Sequence, residues 1–89
     1  MGEKDFRSIA INAILDYYNQ PRGYNTVQIK QEDVYVVWEC KTLQNNKAML
    51  STTVPDGKYY EFTWNGDKQE GYLDVYNKET NILIKFNKI

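Results

Sequence analysis

The residues able to do chemistry in this sequence are few. Cys40 is the single thiol, and histidine is absent. Without histidine the chain lacks the commonest general base near neutral pH and the commonest nitrogen ligand for metals. One cysteine cannot build a structural zinc site. Cys40 would act as a nucleophile only beside a group that depresses its pKa. The carboxylates are scattered. Glu39 and Glu61 are the nearest approach to a paired acid and base, and random placement yields such pairs easily. "DGK" and "NGDK" join glycine to lysine but lack the spacing of a phosphate-binding loop, and no run of aspartates matches a calcium loop. The sequence therefore nominates no catalytic, cofactor-binding or metal-binding residue, and a non-enzymatic protein without a cofactor is expected.

Composition narrows the partners. The 89 residues fit one domain, 1–89, with a thin core. Eleven basic and twelve acidic residues leave a net charge of −1, with no long run of one sign. That balance argues against nucleic acid and against a polybasic membrane segment. No apolar run is long enough to span a bilayer, and the polar opening "MGEKDFRSIA" does not look like a secretion signal. A lone cysteine fits a cytosolic protein. Eight tyrosines are the conspicuous excess.

The elements that position these residues follow from periodicity. Over about residues 3–19, Phe6, Ile9, Ala10, Ala13, Ile14 and Tyr17 recur at i, i+3 and i+4, which predicts an amphipathic helix ended by Pro21 and Gly23. After Gln31 the period becomes two. Strands are expected at about 33–42, 47–54, 58–64, 69–77 and 82–87, joined by tight turns. "TVQIK" leaves room for a short extra edge strand. A three-residue loop at "VPDGK" pairs Leu50 with Phe62, and the same loop length at "QNN" pairs Leu43 with Lys47. "WNGDK" is a hairpin signal, and "YNKETNI" fits a four-residue loop pairing Val75 with Ile84, Asp74 with Lys85 and Leu73 with Phe86. The expected fold is α+β, with one N-terminal amphipathic helix packed on one face of a five-stranded antiparallel β-meander.

Register decides the faces. Val34, Val36, Trp38, Cys40, Ala48, Leu50, Val54, Tyr60, Phe62, Trp64, Leu73 and Val75 should share the side under the helix, which makes Cys40 an inert buried thiol. The opposite side should carry Tyr35, Val37, Met49, Tyr59, Tyr72, Tyr76 and Leu83 among Glu39, Lys41, Ser51, Thr53, Glu61, Thr63, Asp74 and Lys85. One helix covers one face, so a tyrosine-rich face remains. Half-exposed tyrosine columns can simply stabilise a sheet, by about 0.2–1 kcal/mol per cross-strand pair. A tyrosine-rich, lightly charged surface also has the composition of a protein interface. Tyr35, Val37, Met49, Tyr59, Tyr72 and Tyr76 are thus the candidate partner-binding face, for a host protein or for a second copy in a homodimer. Stacking of single-stranded bases is a lesser alternative, because the lysines form no groove.

"DVYVVW", "KTLQNNKAMLST", "DGKYYEFTWNGDK" and "YLDVYNK", over roughly residues 32 to 78, resemble a family of short uncharacterised proteins encoded by bacteriophages and prophages of Gram-positive bacteria. The helix matches that family only in character, and "ETNILIKF" departs from its pattern. The resemblance implies a phage or prophage origin and a cytoplasmic location in an infected or lysogenic host. It brings no activity and no catalytic residue.

Overall fold

A computed structural model of the chain describes residues 3–20 and 28–86. The described residues contain one α-helix, α1 (Glu3–Tyr18), and four strands, β1 (Val34–Thr42), β2 (Asn45–Thr52), β3 (Lys58–Asn65) and β4 (Glu70–Asn77), in the order β1-β2-β3-β4. All neighbours are antiparallel. The fold is α+β as expected, but the sheet has four strands rather than five. Residues 78–86 form no strand. Residues 28–30 of "TVQIK" form none either, and the helix-ending Pro21 and Gly23 lie outside the described residues.

The helix packs because its apolar spacing matches the helical repeat. Phe6, Ala10 and Ile14 are buried one turn apart, and Ile9, Ala13 and Tyr17 flank them half-buried. They meet Ala48, Leu50, Tyr60, Phe62 and Trp64 on the inner side of β2 and β3. Aromatic contacts join the layers: the Phe6 and Phe62 rings lie 5.9 Å apart, and Tyr17 meets Tyr60 edge-on at 6.2 Å. Beyond the helix, the Asn19 side chain clamps the Ile29 backbone, accepting from its N–H at 2.9 Å and donating to its carbonyl at 3.0 Å. This holds Ile29 in the core. A short 3-10 turn, Gln31–Asp33, then enters β1, with the Asp33 carboxylate accepting from the Lys30 N–H at 2.8 Å.

The turns explain the register. Gly57 takes the left-handed conformation at φ 71°, as "VPDGK" predicts. The connection is longer than a three-residue loop, however. Leu50 pairs with Tyr60 and Ala48 with Phe62, two residues from the expected alignment. Local bonds stabilise the longer path: the Val54 N–H donates to Thr52 Oγ1 and the Lys58 N–H to Asp56 Oδ1. A shift of two preserves the faces, so β2 and β3 still bury the expected side chains. Between β3 and β4, Asn65 Oδ1 accepts from the Asp67 and Lys68 N–H groups, and Leu73 and Val75 fall opposite Phe62 and Tyr60 on the inner face.

β1 departs most from expectation. It turns into β2 through Leu43 and Gln44, pairing Thr42 with Asn45 instead of Leu43 with Lys47. Leu43 itself is left-handed, at φ 56°. A β-bulge then lies between Val36 and Trp38. Before it, Val34 and Val36 face inward as expected, opposite Thr52 and Leu50. After it the sides are exchanged. Trp38 and Cys40 pair with Met49 and Lys47 on the outer face, while Glu39 and Lys41 take the helix side opposite Ala48 and Asn46. The expectation that Trp38 and Cys40 are buried is therefore corrected, and Cys40 is exposed. A single inserted residue exchanges the faces of everything beyond it. Here the exchange brings Glu39 under the helix, where the Arg7 guanidinium donates to Glu39 Oε1.

Candidate functional site

Each outer-face side chain is placed by the period-two alternation of the four strands and by the bulge at Val37. One row runs from Tyr35 opposite Ser51 on β1 and β2 to Tyr59 opposite Tyr76 on β3 and β4. The next row holds Trp38, Met49, Glu61 and Asp74, and the one beyond it Cys40, Lys47, Thr63 and Tyr72. Five of the six candidate residues, Tyr35, Met49, Tyr59, Tyr72 and Tyr76, lie on this side at regular strand positions, and Val37 is the unpaired residue of the bulge. Met49 and Tyr59 are half-buried among their neighbours, whereas Tyr35, Val37, Tyr72 and Tyr76 are exposed. Leu83 does not reach the face, since its segment pairs with no strand.

Trp38 is the addition that period-two counting missed. It is 43% exposed and stands beside Met49 on the outer side. The signal for it was present in "VYVVWEC". Adjacent Val36 and Val37 break the alternation, and apolar groups on both sides of one strand are what a bulge leaves in a sequence.

The electrostatics of the face centre on Glu61. Lys47 Nζ lies 3.5 Å from Glu61 Oε1, and the Tyr76 hydroxyl donates to the same oxygen at 3.5 Å. Asp74 is the direct cross-strand neighbour of Glu61. Chiefly through the Glu61 charge, and then through burial and Asp74, the Tyr76 phenol is raised above the usual tyrosine value. The Tyr76 phenol therefore stays neutral at physiological pH and acts as an apolar plate with a polar tip.

At one end of the face a shallow cavity of about 280 Å³ opens between Tyr35, Tyr59, Thr53, Lys58 and Lys78. Its polar groups are partly committed, with Lys58 Nζ donating to Asn77 Oδ1 at 2.9 Å and Thr53 Oγ1 to Asp33 Oδ1 at 3.3 Å. Cys40 lies elsewhere, opposite Lys47, whose ammonium is engaged by Glu61. Among the described residues no group of three or more Cys, Asp or Glu side chains is arranged to hold a metal, and no helix is long and apolar enough to cross a membrane.

Residues 7–86 match the model of a family of unknown function, DUF6275, and the chain belongs to that family. No curated protein and no solved structure shows significant similarity to it.

Proposed function

We propose that this chain is a non-enzymatic protein-binding module of phage or prophage origin, working in the host cytoplasm. It would dock a host or phage protein against the outer face of its sheet. The observation that carries this reading is that no described element covers that face, although Tyr35, Trp38, Tyr72 and Tyr76 are all 43–60% exposed on it. The helix saturates the inner side alone. Aromatic side chains supply wide contact area at low entropic cost and recur as interface hot spots. The phage origin is supported by the resemblance of "DVYVVW" and the segments that follow it.

The size of the face sets the scale of binding. Four strands at about 4.8 Å spacing and eight residues at about 3.3 Å rise give roughly 500 Å² of sheet. A standard interface buries about 800 Å² per partner, so the docked complex would extend over the rim or be transient. The test begins with capture from host lysate and identification of the bound protein, followed by titration with the purified pair. Tyr59→Ala and Tyr35→Ala should each weaken binding by about 1–2 kcal/mol, close to tenfold, without unfolding the chain. Affinity unchanged in both variants would remove the face from consideration.

A further inference from the structure

The segment after β4 carries the most conspicuous apolar exposure in the chain. Ile82, Leu83, Ile84 and Phe86 are 71%, 80%, 67% and 88% exposed. Four large apolar side chains within five residues exceed the scattered exposure of an ordinary surface. The radius of gyration is 15.4 Å, against about 12 Å for a compact domain of this length. Residues 82–86 nevertheless alternate as a strand does, with Ile82, Ile84 and Phe86 on one side and Leu83 and Lys85 on the other.

The same chain offers the surface such a segment needs. Among the described residues β4 pairs only with β3, so its other edge presents backbone groups that no described strand pairs. On the inner side of β4, Leu73 and Val75 pack against the core but stay half-buried. On the outer side Asp74 faces Glu61, with no ion-pair partner among the described residues. The raised Tyr76 phenol reports the resulting concentration of negative charge. An antiparallel segment placing Val75 beside Ile84 would set Phe86 beside Leu73 and Lys85 beside Asp74. Apolar groups would then extend the inner side, and a cation would meet the unpaired carboxylate.

Within one copy this edge is left unfilled. The Lys78 N–H donates to the Gly57 carbonyl at 2.7 Å, extending the β3–β4 ladder by one residue. Beyond it residues 79–86 pair with no strand of their own copy among the described residues. Exchange between two copies needs no reversal: the chain continues through residues 78–81 and runs antiparallel to the β4 of a two-fold related neighbour. We propose that the protein forms such an exchanged dimer, residues 82–86 of each copy adding a strand to the β4 edge of the other. This is independent of the aromatic face, because the contact is an edge rather than a sheet surface.

Sedimentation of the full chain over a range of concentrations tests this, with hydrogen exchange followed in parallel. The expected result is a species of twice 10.5 kDa at high micromolar concentration, with the amides of residues 82–86 becoming protected as it forms. Ile84→Asp should raise the dimer dissociation constant at least about a hundredfold, since two carboxylates per dimer would enter the contact. The melting of the dilute single copy should hardly change, because Ile84 is 67% exposed there and lies outside the core cluster. Asp74→Lys and Lys85→Asp should each weaken the dimer, and the double variant should recover it. A monomer at every concentration overturns the proposal, whether residues 82–86 are protected within one copy or left open for a different protein. So does a dimer that survives Ile84→Asp, and so does one lost only on Tyr72→Ala or Tyr76→Ala.

Discussion

Gly71→Ala gives a sharp test of how β3, β4 and the helix are assembled. Gly71 pairs with Trp64 on the inner side, and the edge of the Phe62 ring lies over it. A methyl group built on Gly71 would stand 2.5 Å from Phe62 Cζ and 3.0 Å from Cε1. Carbon atoms settle at about 3.5–4.0 Å, so the ring would have to retreat by roughly 1 Å. It has little room, being only 4% exposed and packed on Phe6 with ring centres 5.9 Å apart. At an unobstructed position, alanine for glycine should stabilise by about 0.4–1 kcal/mol through the unfolded chain. Overpacking a core costs about 1–3 kcal/mol. The clash therefore prevails, and a net loss of about 1–2 kcal/mol is expected. For a domain of this size that lowers Tm by about 4–16 °C. Urea unfolding followed by tryptophan fluorescence measures the change. In a Phe62→Leu background, which removes the ring edge, the cost of Gly71→Ala should fall by at least half. A neutral or stabilising Gly71→Ala, or a cost untouched by Phe62→Leu, would refute the placement of Phe62 over Gly71 and with it the β3–β4 alignment.

Two further outcomes follow from local geometry. Leu43 is 80% exposed and held at φ 56°, so Leu43→Gly should raise stability by about 0.5–1 kcal/mol in urea unfolding, because relief of the left-handed strain exceeds the added chain entropy. The Tyr76 phenol has its folded pKa raised above the ordinary value of 10.0, so any stability linked to it is fully present below that value and is lost as pH rises through the folded pKa. Ultraviolet titration compared with Tyr76→Phe should show this phenol ionising late, and Glu61→Gln should bring it down.

Much of the fold was legible because it rests on local chemistry and on parity. The helix announces itself through Phe6, Ala10 and Ile14, and Gly57 and Asn65 mark their turns. The inner face of β2, β3 and β4 was readable although the β2–β3 alignment was two residues off, because an even shift leaves every side chain on its own side. Five of the six candidate binding residues were placed by the same parity. Val37 is instead the bulged residue, which parity does not place.

Tertiary structure decided what parity cannot see. In "VYVVWEC" both sides of the strand are apolar, so no pattern states where one extra residue sits. The bulge became visible only where β1 lies at a sheet edge and Arg7 of the helix meets Glu39. It moved Trp38 and Cys40 into water and Glu39 under the helix. The fate of "NILIKF" was likewise outside local rules: its alternation specifies a strand, but a strand needs a neighbour, and within the single chain residues 78–86 pair with none among the described residues. Alternation and turn residues act over a few neighbours in the chain, whereas a bulge at an edge and the pairing of a last segment depend on groups brought together from distant parts of it.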